Sequence, residues 1–181
     1  MLFSPIGRTD PLRTGADGPF LHILRHYKPR KAVLYLTQET FELHHRDNRY
    51  LEMGRRVSPD TEYEVIGDET LRDAHRFEIF DLPFREAIER LHREFPSCKV
   101  LVNITSGTPQ MEASLYLLKA ILPFPIWAIQ VATPAHRSNE SEHLSETDAL
   151  DFDALYESLS LIHISGDYRE KAPQAAGLVR G

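Results

Sequence analysis

The feature that most restricts the fold is Ala32-Val33-Leu34-Tyr35-Leu36, five apolar residues in a row with no polar alternation. A strand of this kind has to be covered on both faces. That requirement suits a parallel sheet between helical layers, and not an antiparallel sheet with one wet side. Leu2–Ile6, Val100–Ile104 and Ile126–Val131 read the same way, and Glu62–Ile66 alternates as a weaker strand. Helical patterns separate these runs, at Gly18–Tyr27, Glu39–Met53, Leu82–Phe95 and Pro109–Leu122. In the third, Phe84, Ile88, Leu91 and Phe95 fall on one face. The fourth starts with Pro at its first turn, as helices tolerate. Its Met111, Ala113, Leu115, Leu117, Leu118 and Ile121 lie all round it, which predicts deep burial. The alternation predicts an α/β class: a Rossmann-like, mostly parallel sheet with helices on both faces and right-handed crossovers.

A chain of 181 residues, 41% of them hydrophobic, can bury one real core. We expect one domain over residues 1–165, with a weak strand at Leu159–Ile164 and a flexible tail or linker start at 166–181. The net charge of -6 argues against a large basic surface for long nucleic acid. It leaves room for an anionic ligand held by backbone N–H groups and a few Arg side chains. Cys98 is the single cysteine, so no disulfide forms within the chain, which predicts a reducing cytoplasm. No apolar run approaches the roughly 18–20 residues that span a membrane, and Pro5 and Gly7 interrupt the start too early for a signal peptide.

In a parallel sheet, ligands bind outside the carboxyl ends of the strands. Three segments fall there: Gly7-Arg8-Thr9-Asp10-Pro11, then Asn103 to Gln110, then Gln130-Val131-Ala132-Thr133-Pro134 running on to Arg137 and Asn139. Ser106, Gly107 and Thr108 precede a helix start at Pro109. Glycine lets a ligand approach the backbone, and free N–H groups at the helix start favour phosphate. The same residues also read as a plain helix cap. Arg8 and Thr9 suit a phosphate or a ribose, or else belong to an ordinary turn with Asp10-Pro11. Gln38 suits a base edge, or a cap for the helix from Glu39. The nine histidines form no metal-ligand pattern, and no metal or cofactor is expected. Arg85 and His92 have a ribonuclease-like spacing, but they sit on an amphipathic helix where exposed polar residues belong. The glycine fingerprint of NAD enzymes is missing, which weighs against a mononucleotide or NAD enzyme.

Taken in order, these segments resemble the CARF domain of CRISPR type III-A accessory ribonucleases. The resemblance starts in Gly7 to Pro11, Phe20 to Pro29 and Ala32 to Glu39. It continues in Ser106-Gly107-Thr108-Pro109-Gln110 and in Ala128 to Pro134, and Arg137 and Asn139 match the following loop. It implies a homodimer whose twofold axis brings two sets of turns around one cyclic oligoadenylate, with cyclic hexaadenylate favoured over the four-membered ring. The implied ligand-binding residues are Gly7, Arg8, Thr9, Gln38, Asn103, Thr105, Gly107, Pro109, Gln110, Gln130, Thr133, Arg137 and Asn139. In those ribonucleases a helical HEPN domain follows the sensor. This chain ends where it would begin, so a fused or separate effector is an expected partner. A sensor acting alone is expected to be a slow, metal-independent ring nuclease, with Thr108 and Ser106 positioning the ribose and phosphate. The competing expectation is a sensor that binds the ring and relays a dimer rearrangement.

Overall fold

The computed structural model describes residues 1–131, except 14, 15, 73 and 75. The expected strand at Leu159–Ile164, the tail from 166, the boundary at 165 and residues Thr133, Arg137 and Asn139 lie outside the described residues. The chain opens with strand β1 (Leu2–Pro5), followed by a short antiparallel ribbon of β2 (Leu12–Arg13) and β3 (Ala16–Asp17). Next come α1 (Pro19–Tyr27), β4 (Lys31–Leu36), α2 (Gln38–Asp47), α3 (Arg49–Val57) and β5 (Glu62–Gly67). The rest comprises α4 (Glu78–Glu94), β6 (Val100–Asn103), α5 (Pro109–Ile121) and β7 (Ile126–Ile129). Five strands form one sheet in the order β5-β4-β1-β6-β7, with every pairing parallel. This is the expected Rossmann-like α/β fold.

Residue alternation along the strands builds two cores. Phe3, Val33, Tyr35, Val100 and Val102 pack with Phe80, Phe84 and Ile88 of α4 and with Met111, Leu115 and Leu118 of α5. Phe84 is the hub: its ring lies 5.0 Å from Phe3, 4.9 Å from Tyr35 and 5.3 Å from Phe80. The alternate residues Leu2, Leu34 and Leu36 are fully buried on the other side of the sheet, as are Phe20, Leu21 and Leu24 of α1 and Tyr50 of α3.

Three expectations need correction. The helix expected over Glu39–Met53 is two helices, because Asn48 turns left-handed (φ 53) between α2 and α3. Asn tolerates that conformation better than other side chains. Helix α4 begins at Glu78, not Leu82. Pro83 lies inside it at the cost of one helical hydrogen bond, while Phe80 and Phe84 on its buried face hold it to the sheet. Finally, α5 is not buried all round. Its sheet side carries Met111, Ser114, Leu115 and Leu118, whereas Ala113 is exposed, and Tyr116, Leu117 and Ile121 are 36%, 41% and 48% exposed. A helix apolar on every side shows no face in its sequence, so the open side could not be read there.

Candidate ligand-binding cleft

The strand order reverses between β1 and β6, and in open α/β sheets the crevice at that point is where ligands bind. Two glycines set its geometry. A Cβ on Gly7 would lie 2.6 Å from the Gly107 nitrogen, so the turns after β1 and β6 touch backbone to backbone. Gly107 has φ +94, and a Cβ there would meet Met111 Sδ at 2.6 Å. No other residue allows this approach without strain.

A hydrogen-bonded chain fixes the turns. Asn103 is fully buried and donates from Nδ2 to Ser4 Oγ and Ser106 Oγ, both at 2.9 Å. Its Oδ1 accepts the Thr105 N–H at 3.0 Å. Thr105 Oγ1 in turn accepts the Val131 N–H at 2.7 Å, which ties the start of the third turn to the second. On the other side, the Ser106 hydroxyl faces the Asp10 carboxyl. Asp10 also accepts the Gly7 N–H at 3.1 Å and the Phe20 N–H at 2.9 Å. Burial pushes the Asp10 carboxyl up to about 6, against the opposing effect of hydrogen bonds from Ser106, Phe20 and Gly7.

Residues 62–173 match the family model described as the Cas_Csm6 CARF domain. The chain belongs to the Csm6 CARF domain family. The CRISPR system endoribonuclease Csm6 of Mycobacterium tuberculosis is 36% identical over 158 residues, covering 87% of this chain and 38% of that protein. The Enterococcus italicus protein of the same description is 32% identical over 158 residues, covering 84% and 36%. The solved structure of Enterococcus italicus Csm6 bound to cyclic hexa-2′-fluoro-hexa-dAMP superposes with a TM-score of 0.66 at 29% identity, covering 86% of this chain and 38% of that one. The chain thus spans little more than a third of the length of these relatives.

Within this CARF domain the residues anticipated from sequence take different positions. Thr108 is the N-cap of α5: its Oγ1 accepts the Met111 N–H at 3.4 Å and donates to the Ala74 carbonyl at 2.8 Å. Ser106 is buried in the hydrogen-bonded chain, and Asn103 with it. Gly107, Pro109 and Gln130 are exposed, while Gly7, Thr9, Thr105 and Gln110 are half-buried. Gln110 lies in the first turn of α5, where backbone N–H groups lack helical acceptors. The Arg8 side chain is 83% exposed and forks onto Glu39 at 3.0 Å. Gln38 receives a bond from Arg72 Nε at 3.0 Å and gives one to Glu42 at 2.9 Å. It does not cap α2, because the helix begins at Gln38 and Thr37 is the cap residue, its N–H bonded to Thr40 Oγ1 at 2.9 Å.

Asp10 was not singled out from sequence, where Asp before Pro reads as a turn. Its partners at Gly7, Phe20 and Ser106 come together only in the fold. Among the described residues, no helix is long and apolar enough to cross a membrane.

Proposed function

We propose that the chain is the sensor domain of a type III CRISPR antiviral response, and that it binds a cyclic oligoadenylate, with cyclic hexaadenylate the preferred ring. The observation that carries this reading is the backbone contact between Gly7 and Gly107 at the strand-order reversal. It brings two backbone turns and the start of α5 together, with Arg8 exposed on the first turn, which suits phosphates. The Csm6 structure bound to a cyclic hexanucleotide supports the ligand class. In this reading residues 1–165 form the sensor and 166–181 a tail or linker, which in the cytoplasm serves a fused HEPN domain or a separate effector.

A ring of identical nucleotides is best met by identical half-sites, so the binding unit is a homodimer. The open apolar side of α5 supports this. Ala113, Tyr116, Leu117 and Ile121 recur at helical spacing on the helix that starts at the cleft. A second copy packed there would place two clefts side by side. From each copy, Gly7, Arg8, Thr9, Gln38, Gly107, Pro109, Gln110 and Gln130 contact the ring, as do Thr133, Arg137 and Asn139. Asn103 and Thr105 hold the turn that presents it.

The same seat supports slow, metal-independent cleavage of the ring. A ribose 2′-OH attacks the adjacent phosphorus in line, the P–O5′ bond breaks, and the 2′,3′-cyclic phosphate and a free 5′-OH remain. The protein supplies alignment and charge stabilisation. Thr108 and Ser106 position the reacting segment, and Arg8 or Arg137 neutralises the phosphate. A second reading, a sensor that binds without cutting, is favoured by a specific observation: the Thr108 hydroxyl is already engaged by Met111 and Ala74, and Ser106 is buried. Incubation with labelled cyclic hexaadenylate separates the two. Linear products ending in 2′,3′-cyclic phosphate, lost in Thr108→Ala, are expected for the nuclease. Ring recovered intact from its complex would establish the sensor. Loss of the cap itself costs about 1 kcal/mol, so the variant should still fold.

A further inference from the structure

We infer that Asp10 is a positioning residue of the cleft, which ties the turn after β1 to the start of α1 beside the turn after β6 and couples ring binding to proton uptake. The inference rests on the proposed ring-binding role of the cleft. Its basis is geometric. Asp10 is 5% exposed and has no cationic partner among the described residues. Its oxygens take up the N–H groups of Gly7 and Phe20 and it faces the Ser106 hydroxyl, so one carboxyl group joins the first turn to the start of α1 beside the second turn. Gly7 is the residue that touches Gly107, so this carboxyl sits directly behind the proposed phosphate seat. A buried, strongly perturbed carboxyl in a cleft is a recognised mark of a functional group.

The direction of the coupling follows from charge. A polyanion arriving in front of a buried carboxylate with no counter-cation disfavours the ionised form. Asp10 already holds its proton up to about pH 6 in the free domain, so little extra interaction is needed to keep it protonated near neutrality. The protonated group can still accept the two backbone N–H groups while donating to Ser106 Oγ. The titratable side chain coupled to it from α3 is Tyr50, which burial and the Asp10 charge push up to about 12, so it stays neutral throughout. Affinity for the ring should therefore rise as pH falls toward 6 and decline above it, with proton uptake at each cleft.

The test is calorimetry of cyclic hexaadenylate binding by the wild-type chain at pH 5.5, 6.5 and 7.5, in two buffers of different ionisation enthalpy. We expect uptake of about half a proton near pH 6.5 and an affinity about sixfold higher at pH 5.5 than at 7.5, the effect of a one-unit ligand-induced rise in the Asp10 pKa from about 6. In Asp10→Asn, the pH profile should flatten to within twofold. Ser106→Ala should bind more weakly at every pH and, without the hydroxyl that lowers the Asp10 pKa, should move the pH dependence to higher pH. A merely structural Asp10 would lower affinity equally at all pH values. Ring binding without proton uptake overturns the inference and leaves the proposed function standing. Absence of binding at every pH overturns both.

Discussion

Gly7→Ala is expected to weaken cyclic hexaadenylate binding by at least a hundredfold, about 2.7 kcal/mol. The added Cβ would stand 2.6 Å from the Gly107 nitrogen, a backbone atom that no rotamer change can move. The turn after β6 is held from behind by Asn103 and Ser106, and the turn after β1 by Asp10. The clash therefore has to part the two turns, and parting them destroys the seat. The folding penalty should be smaller, about 1–3 kcal/mol, because overpacking at the rim leaves both cores intact. Fluorescence anisotropy with a labelled ring, beside a thermal melt, measures the two effects separately. A folded Gly7→Ala that binds within threefold of wild type would show that the glycine contact is not the ligand seat.

Phe84→Ala should have the largest effect on folding, a loss of about 3–5 kcal/mol. Phe84 is fully buried and its ring touches Phe3 of β1, Tyr35 of β4 and Phe80 of its own helix. Removing it opens a cavity where α4 meets the centre of the sheet, and aromatic pair contacts are lost in addition to buried area. Most domains of this size hold only about 5–15 kcal/mol in total, so the variant should be marginal at 37 °C. Denaturant unfolding monitored by circular dichroism gives the value. A loss under 1 kcal/mol would mean that the aromatic cluster is not the centre of this core.

The strands were legible because β4 and β6 are apolar on both faces, which only a doubly covered sheet explains. The parallel pairing followed from the alternation with helices, whereas the order β5-β4-β1-β6-β7 was set only in the fold. The break at Asn48 was not legible, since a left-handed residue inside a polar helical pattern leaves the hydrophobic period undisturbed. The open side of α5 was hidden by the opposite problem, a helix with apolar residues all round. At the cleft, the Gly107 turn could be found from its small residues before Pro109. Thr108 proved to cap α5, and phosphate binding at the same helix start is compatible with that, because the cap takes the Met111 N–H and leaves that of Gln110. Asp10 could not be found by local reasoning. Its role comes from Phe20 and Ser106, one at the start of α1 and the other on the turn after β6, and only the folded sheet brings them to it.

The central claim is that a circular polyphosphate is held by two copies of one small seat. Sedimentation equilibrium of the chain with cyclic hexaadenylate, read at a wavelength where the ring absorbs, tests it most directly. The account predicts a complex of two chains and one ring, without added metal. One ring per monomer, or a monomer that leaves the ring unbound at concentrations well above those of signalling, would contradict it.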